Sequence, residues 1–581
     1  MSKLLTIALI FMVGSSAAAQ MPVAALPRTY IDATWNLPQG GTTWAAHTAA
    51  QFTSALQVAA PGDIVLLDAG ATYSGYFNVP AKSNSNKKWI YVMSSAYAKL
   101  PAPGIRVSPA NAVNLPKIVT PGATSALRFA DGANHWRFVG IEISSASSYH
   151  PPNYTPGVNF GYGLVDKFSY PGTSNIPDSI VFDRCYVHGD ATHDLQEGLV
   201  LNFTNTAVVD SYISDIHAKG VDTQAVLAYV TPGPIKIVDN YLEAAGENVM
   251  FGGAGGGAFG YVPSDIEVRN NYLYKPLSWI PLSLPPISQY VVKNSFELKS
   301  AQRVLFDGNI IQNKWAAAQV SGAFLFTPRT SQSGDVAKVL DVTVTNNVFK
   351  NVISGFSSIA ADDQCGSTSY PNCHNAGSAG RWVIKNNVVE LMDNTAQGNG
   401  GHEDFMLFSV SLDRPDGNVY VGPHDIVLQH NTLVPFGNQK CWGSVYFGVP
   451  SGWKQPFPQP ASNNVWIRDN VFCRQPTGDW GIQGMAALSA YMGEPGVAPN
   501  DVTARFYGNV MYVAAGDRVQ SFPPHNYATT LPFTYVNPGF GNYQLASPYW
   551  TDTSDGQLAG LNFAKLPASA PVPGTGAPPS R

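Results

Sequence analysis

Apolar and polar positions alternate with a period of two in short runs along this chain, and glycine, proline and asparagine break the runs. That period puts alternate side chains on opposite faces of half-buried strands. One pattern recurs: an apolar residue, a spacer, a polar pair, then a β-branched or aromatic run. It is anchored at Cys185, Ser211, Asn240, Asn271, Asn309, Asn347, Asn387, Asn431, Asn470 and Asn509, as in Ile-Val-Asp-Asn240-Tyr-Leu and Val-Thr-Asn-Asn347-Val-Phe. The anchors lie 26, 29, 31, 38, 38, 40, 44, 39 and 39 residues apart. A degenerate earlier copy runs from Phe138 to Ile143.

Each copy predicts a strand, a sharp corner and a second strand, and copies at such a period stack as the coils of a solenoid. Asparagine suits the corner because it tolerates left-handed backbone and hydrogen-bonds locally. In coils about 4.8 Å apart, the anchor side chains are expected to pair amide to amide up the axis. Cys185 and Ser211 fit as small terminal members of that ladder, with a structural role. Coils of 38 to 44 residues are much longer than the 26 between Cys185 and Ser211, so the excess must protrude as loops. The longest are expected around 275–292, 328–340, 361–380, 392–402, 411–423, 434–442 and 450–463. Together they would form a wall along the C-terminal coils, beside a groove suited to a chain-like ligand.

Composition narrows the function classes. Hydrophobic residues make up 45% of the 581 positions and charged residues only 13%, which supports a core and excludes disorder over most of the chain. The net charge of −5 gives no basic surface for nucleic-acid phosphates. Residues 1–19 read as a secretory signal: Lys3, an apolar run from Leu4 to Val13, then small residues up to Ala19. No later stretch is long and apolar enough to span a membrane. We therefore expect a secreted, monomeric protein with one solenoid domain over 20–565, an N-terminal cap at about 42–67 and a flexible Pro/Ala/Gly-rich tail over 566–581. Disulfides survive outside the cytoplasm. Cys365 and Cys373, bracketing a small polar loop, are the best candidates, and Cys441 and Cys473 could join neighbouring coils.

With the repeat and cap laid out, the chain resembles the right-handed parallel β-helices of the pectate-lyase-like superfamily. The segment Phe52 to Leu67, a short helix followed by Pro61-Gly62-Asp63 and a strand, is similar to the cap that opens many of them. The segments Val221–Val226, Gly246–Gly253, Pro263–Val268 and Asn294–Lys299 also resemble secreted bacterial β-helix repeat proteins without an established activity. The resemblance implies an all-β fold with a short N-terminal capping helix and long inserted loops. It also implies a polysaccharide, often an acidic one, as partner, cleaved by elimination or hydrolysis.

Elimination across a uronic acid needs a base for the proton beside the carboxylate and a cation to neutralise that carboxylate. The best pair is Lys299 in Phe-Glu-Leu-Lys and Arg329 in Phe-Leu-Phe-Thr-Pro-Arg, about one coil apart. Their spacing resembles the lysine and arginine of the alginate-lyase and chondroitinase-B type. Alternation turns Phe296 and Leu298 inward and leaves Glu297 and Lys299 facing out together, an arrangement that an ordinary surface ion pair would share. Hydrolysis needs paired carboxyls. Glu197, Asp222 and Glu247 are spaced 25 residues apart and are expected on adjacent coils, where they would raise one another's pKa or invite a cation such as calcium. Strand-end capping is the other role open to them. His217 is a proton-transfer candidate, outward-facing Glu297 is a candidate for binding substrate, and Trp279 and Trp315 are candidates for stacking on sugar rings. The chain lacks the Arg-x-Pro-x-x-Arg segment of the main pectate lyases and the Asn-Thr-Asp, Gly-His-Gly and Arg-Ile-Lys set of polygalacturonases. A non-catalytic glycan-binding or adhesin β-helix remains the alternative class.

Overall fold

The structure, a computed structural model, describes residues 21–122, 125–146, 163–167, 175–253, 261–280, 290–329, 337–360, 378–393 and most of 404–448, 464–478, 505–512 and 524–567. The expected signal segment, Cys365, Cys373, most of the inserted-loop wall and the last residues of the tail lie outside them. The strands wind into three parallel sheets of 14, 12 and 14 strands. One coil runs through Ile235–Val238 in the first sheet, Tyr241–Ala244 in the third and Glu247–Phe251 in the second, and the next coil repeats the order. This is the right-handed parallel β-helix that the repeat predicts. Within one insertion, Ser411–Asp413 pairs antiparallel with Val419–Val421.

Inward apolar residues of successive coils stack on one another. Phe296, Phe324, Phe356 and Phe405 stand ring over ring, with centroids 4.6, 5.7 and 5.2 Å apart. The asparagine ladder runs beside this core. Asn240 Nδ2 donates to Asn271 Oδ1 at 3.0 Å, and the same bond repeats through Asn309, Asn347, Asn387, Asn431, Asn470 and Asn509. Each acceptor oxygen also takes the backbone N–H of the residue below, as Asn309 Oδ1 does from Asn271 N at 2.9 Å. Ser211 accepts from Cys185 N and donates upward through its own N–H to Asn240 Oδ1. Cys185 is a buried free thiol, pushed by burial up to about 12.

The corner differs from the expectation in one detail. The left-handed residue is not the ladder asparagine but the one before it: Arg184, Asp210, Asp239, Asn270, Asn346, Asn386, His430 and Asp469 all have φ between 50° and 58°. Gly308 and Gly508 take the same place at 66° and 72°. The turn is made by the first member of each polar pair, which frees the second to aim its amide along the axis.

At the N-terminal end, the helix Ala49–Val58 covers the first coil with Phe52 and Leu56, and Phe52 packs on Phe77 at 4.6 Å. Asp63 of Pro-Gly-Asp ties the cap together by accepting from Thr42 N, Ala60 N and Trp44 Nε1. Near the other end, Cys441 and Cys473 form a disulfide.

Two extended straps lie on the outside. Residues 25–34 cross the first sheet: Ala25 N reaches Asp341 Oδ1 at 3.1 Å, Arg28 N reaches Asp265 Oδ1 at 2.8 Å, and the carbonyls of Ile31, Ala33 and Thr34 accept from Lys236 and Arg137. From the C-terminal side, Ser554 N donates to Asp469 Oδ1 at 2.7 Å, His430 Nε2 meets Asp555 at 2.9 Å, and Asn562 N bonds Asn386. Leu561 and Leu566 pack there on Val388 and Val434, so the packed chain continues to Leu566. Among the described residues, no helix is long and apolar enough to cross a membrane.

Candidate active site

The outward face of the second sheet carries the densest charge chemistry among the sequence candidates. Phe296 and Leu298 are fully buried in the core, so strand alternation aims Glu297 and Lys299 the other way. Leu298 pairs with Phe326 of the next coil, Thr327 N donates to Leu298 O, and Arg329 N donates to Lys299 O at 2.9 Å. Lys299 and Arg329 therefore leave adjacent coils at the same end of the sheet. Lys299 is laid down by the coil before it. Gly252 and Gly253 have φ of +82° and +90°, and a Cβ on Gly253 would stand 2.5 Å from Lys299 Cδ. A side chain at Gly253 would push the lysine off this path.

Glu297 lies beneath, 3% exposed. Its Oε1 accepts from Thr327 Oγ1 at 2.6 Å, while Oε2 has no hydrogen-bond donor and faces Lys299 Nζ at 3.9 Å. Burial raises its pKa; Lys299 opposes the shift and Glu247 reinforces it. At this depth Glu297 acts on Lys299 rather than on a ligand in solvent.

The expected stack of Glu197, Asp222 and Glu247 is corrected at its middle member. Glu197 pairs in register with Gln224, and Gln224 with Glu247, because the two coils differ in length and equal sequence spacing does not give equal register. Gln224 Nε2 donates to Glu247 Oε2 at 2.6 Å. Asp222, two residues before the strand, bonds instead to Lys293, whose Nζ lies 2.7 Å from Asp222 Oδ2 and 2.6 Å from Glu247 Oε1. Burial alone would push Glu247 up, but Lys293, Lys299 and the Gln224 bond outweigh it and hold the carboxyl at about 2. Glu197 goes the other way, raised well above the usual range by burial and by Asp166.

Lys293, Gln224, Thr327 and the glycine pair were absent from the sequence candidates. Lys293 sits in Val-Val-Lys293-Asn, where nothing marks a lysine as facing a carboxylate two coils away in sequence. Gly252-Gly253 was the available signal, since paired glycines after a strand mark a close approach.

His217, Trp279 and Trp315 depart from the expected roles. His217 is 1% exposed and its ring stacks on Tyr290 at 4.1 Å, edge-on to Trp279 at 5.5 Å. Burial lowers its pKa, and its Nδ1 has no hydrogen-bond partner. Trp279 and Trp315 join the same buried cluster with Val292 and Ala245, so neither presents a ring face to a sugar. They close the flank of the solenoid where the loop after Tyr274 leaves it.

Calcium finds no ready site among these groups. The facing oxygens of Asp222 and Glu247 are both taken by the Lys293 ammonium and the second Glu247 oxygen by Gln224, whereas calcium needs six to eight oxygens converging on one point. Elsewhere, His430, Asp469 and Asp555 come within 4.8 Å of one another. Their atoms are spent on Ser554, Gln429 and each other, in fastening the C-terminal strap.

No family model matches the chain, and no curated protein matches it. Solved structures of polysaccharide lyases share the parallel β-helix at low identity. They include the PL6 family alginate lyase AlyGC, with 14% identity, a TM-score of 0.49 and coverage of 91% of this chain and 58% of that one. A PL6 alginate lyase in complex with a trisaccharide gives 11%, 0.43, and 91% and 95% coverage. The PL6 family polysaccharide lyase Pedsa3628 from Pseudopedobacter saltans gives 11%, 0.41, and 91% and 99%. This chain thus spans less than two thirds of AlyGC, and the likeness to all three is one of fold alone.

Proposed function

We propose that the protein is an exported polysaccharide lyase that cleaves a uronic-acid-containing chain by β-elimination. The supporting observation is the placement of Lys299 and Arg329 at one end of adjacent coils, with Lys299 laid across Gly253 above buried Glu297. Lys299, as the uncharged amine, takes the proton from the carbon beside the uronate carboxylate and becomes the ammonium. Arg329 pairs with that carboxylate and stabilises the charge that builds on it. The electron pair of the broken C–H bond forms the carbon–carbon double bond, the glycosidic C–O bond breaks, and the leaving oxygen takes a proton from water. Glu297 keeps the Lys299 amine in place without reaching the substrate.

The test is a panel of acidic polysaccharides incubated with purified protein while ultraviolet absorbance of the unsaturated product is followed. Absence of that product from every member, with folded protein, sinks the proposal. A second reading has one observation in its favour: Glu197 and Glu247 have pKa values pushed in opposite directions and stand two strand spacings apart, about 9.6 Å, near the separation of an inverting hydrolase pair. New reducing ends without unsaturated product would support that reading.

A further inference from the structure

We propose that Lys293 is a built-in counter-ion holding shut a latent divalent-cation site, so that the charged centre of the second sheet needs no metal. Two carboxylates from different coils converge on one point, and that point is the Lys293 ammonium, 2.7 Å from Asp222 and 2.6 Å from Glu247. The backbone holds it there, because Lys293 N donates to Ala245 O, two residues before Glu247. A third carboxyl, Glu297, is 3% exposed and turns its oxygen without a hydrogen-bond donor toward Lys299, so it adds negative charge near Glu247 without itself meeting the Lys293 ammonium. With the ammonium removed, Asp222 Oδ2 and Glu247 Oε1 would both face the space it filled, and the fully buried Glu247 carboxylate would lose its nearest cation. Hard cations such as calcium favour such an oxygen set. A buried carboxylate that loses its partner is strongly destabilising unless another cation replaces it.

The inference does not depend on the lyase reading, and its readout is not activity. Thermal melts of the full chain are compared in EDTA and in calcium at about 1 mM, the range in which extracellular calcium modules bind. The compared proteins are wild type, Lys293→Ala, Glu247→Gln and Lys293→Ala/Glu247→Gln. Wild type is expected to melt at the same temperature in both buffers. Lys293→Ala should melt several degrees lower in EDTA and recover most of the loss in calcium, and the double variant should lose that recovery. A Lys293→Ala protein that folds only when calcium is present would carry the same support. A rise in the wild-type melting temperature with calcium that disappears in Glu247→Gln would overturn the proposal, as would a folded Lys293→Ala indifferent to calcium. Lys293→Gln, which keeps the stem and removes the charge, is the second variant should Lys293→Ala fold in neither buffer, and indifference of Lys293→Gln to calcium overturns the proposal equally.

Discussion

The Lys299 side chain rests on Gly253 of the preceding coil, where the space is closed to a single added methyl group. Gly253→Ala should therefore displace the lysine and strain a left-handed backbone, a local cost of about 1 kcal/mol. Turnover of an acidic polysaccharide is expected to fall at least about tenfold, equivalent to about 1.4 kcal/mol of transition-state stabilisation. Melting curves measured alongside the rates separate the two effects: a large loss of fold with proportionate loss of rate would contradict a positioning role.

Lys299→Ala and Arg329→Ala are each expected to reduce formation of unsaturated product by about 10²–10⁴-fold, the usual worth of a positioned proton-transfer or charge-stabilising group. Lys299 is only 15% exposed and faces the buried Glu297 carboxyl, so Lys299→Ala should also lower the melting temperature, and Lys299→Ala/Glu297→Gln, which removes the stranded charge, should recover it without recovering activity. Either variant retaining full activity would place the chemistry elsewhere on the solenoid.

Removing a rung from the middle of the ladder should be costly. Asn309 Oδ1 accepts from both the N–H and the Nδ2 of Asn271, and its own Nδ2 donates to Val268 O and Asn347 Oδ1. Asn309→Ala strands these groups without water and is expected to lower stability by about 3 kcal/mol. Asn526→Ala, at the open end beyond Asn509, should cost clearly less by chemical denaturation, because water reaches part of that rung.

Lys314 introduces a pH dependence. It is fully buried, donates to the carbonyls of Gln319 and Ser321, and is lowered by burial to about 7. In the unfolded chain its amine titrates near about 10.4. Between those values the unfolded state binds more protons, so the Lys314 contribution makes stability rise with pH from about 7 to about 10.4 and is fully unfavourable below pH 7. Denaturation midpoints of wild type and Lys314→Met across that range should show the slope in the first and its loss in the second.

The repeat, the cap and the ladder were legible because each follows from a rule that acts locally: period-two alternation, Pro-Gly-Asp before a strand, and one asparagine per coil. The same alternation placed Glu297 and Lys299 on the outer face. What could not be read was whatever depends on how one coil lies on the next. Gln224 rather than Asp222 faces Glu247 because coil lengths are unequal, and Lys293 reaches both acids from a segment with no pattern of its own. Trp279 and Trp315 misled for a related reason. An aromatic in an insertion has the same neighbours in sequence whether it meets a sugar or folds back onto Val292. The left-handed corner residue was misplaced by one because asparagine suits both positions of the pair.

The two straps bear on how this molecule comes apart. A stack of coils bound only to its neighbours behaves as a one-dimensional chain, free to fray from either end one coil at a time. Here the N-terminal strap ties the coil of Arg137 to that of Asp341, and the C-terminal strap ties Asp469 back to Asn386 and packs Leu561 and Leu566 with Val388 and Val434. The two lacings arrive from opposite ends and meet on neighbouring coils, so peeling any terminal coil means releasing bonds several coils away. Such long-range ties turn a zipper into something nearer a single cooperative unit, able to keep its middle intact while its ends are pulled.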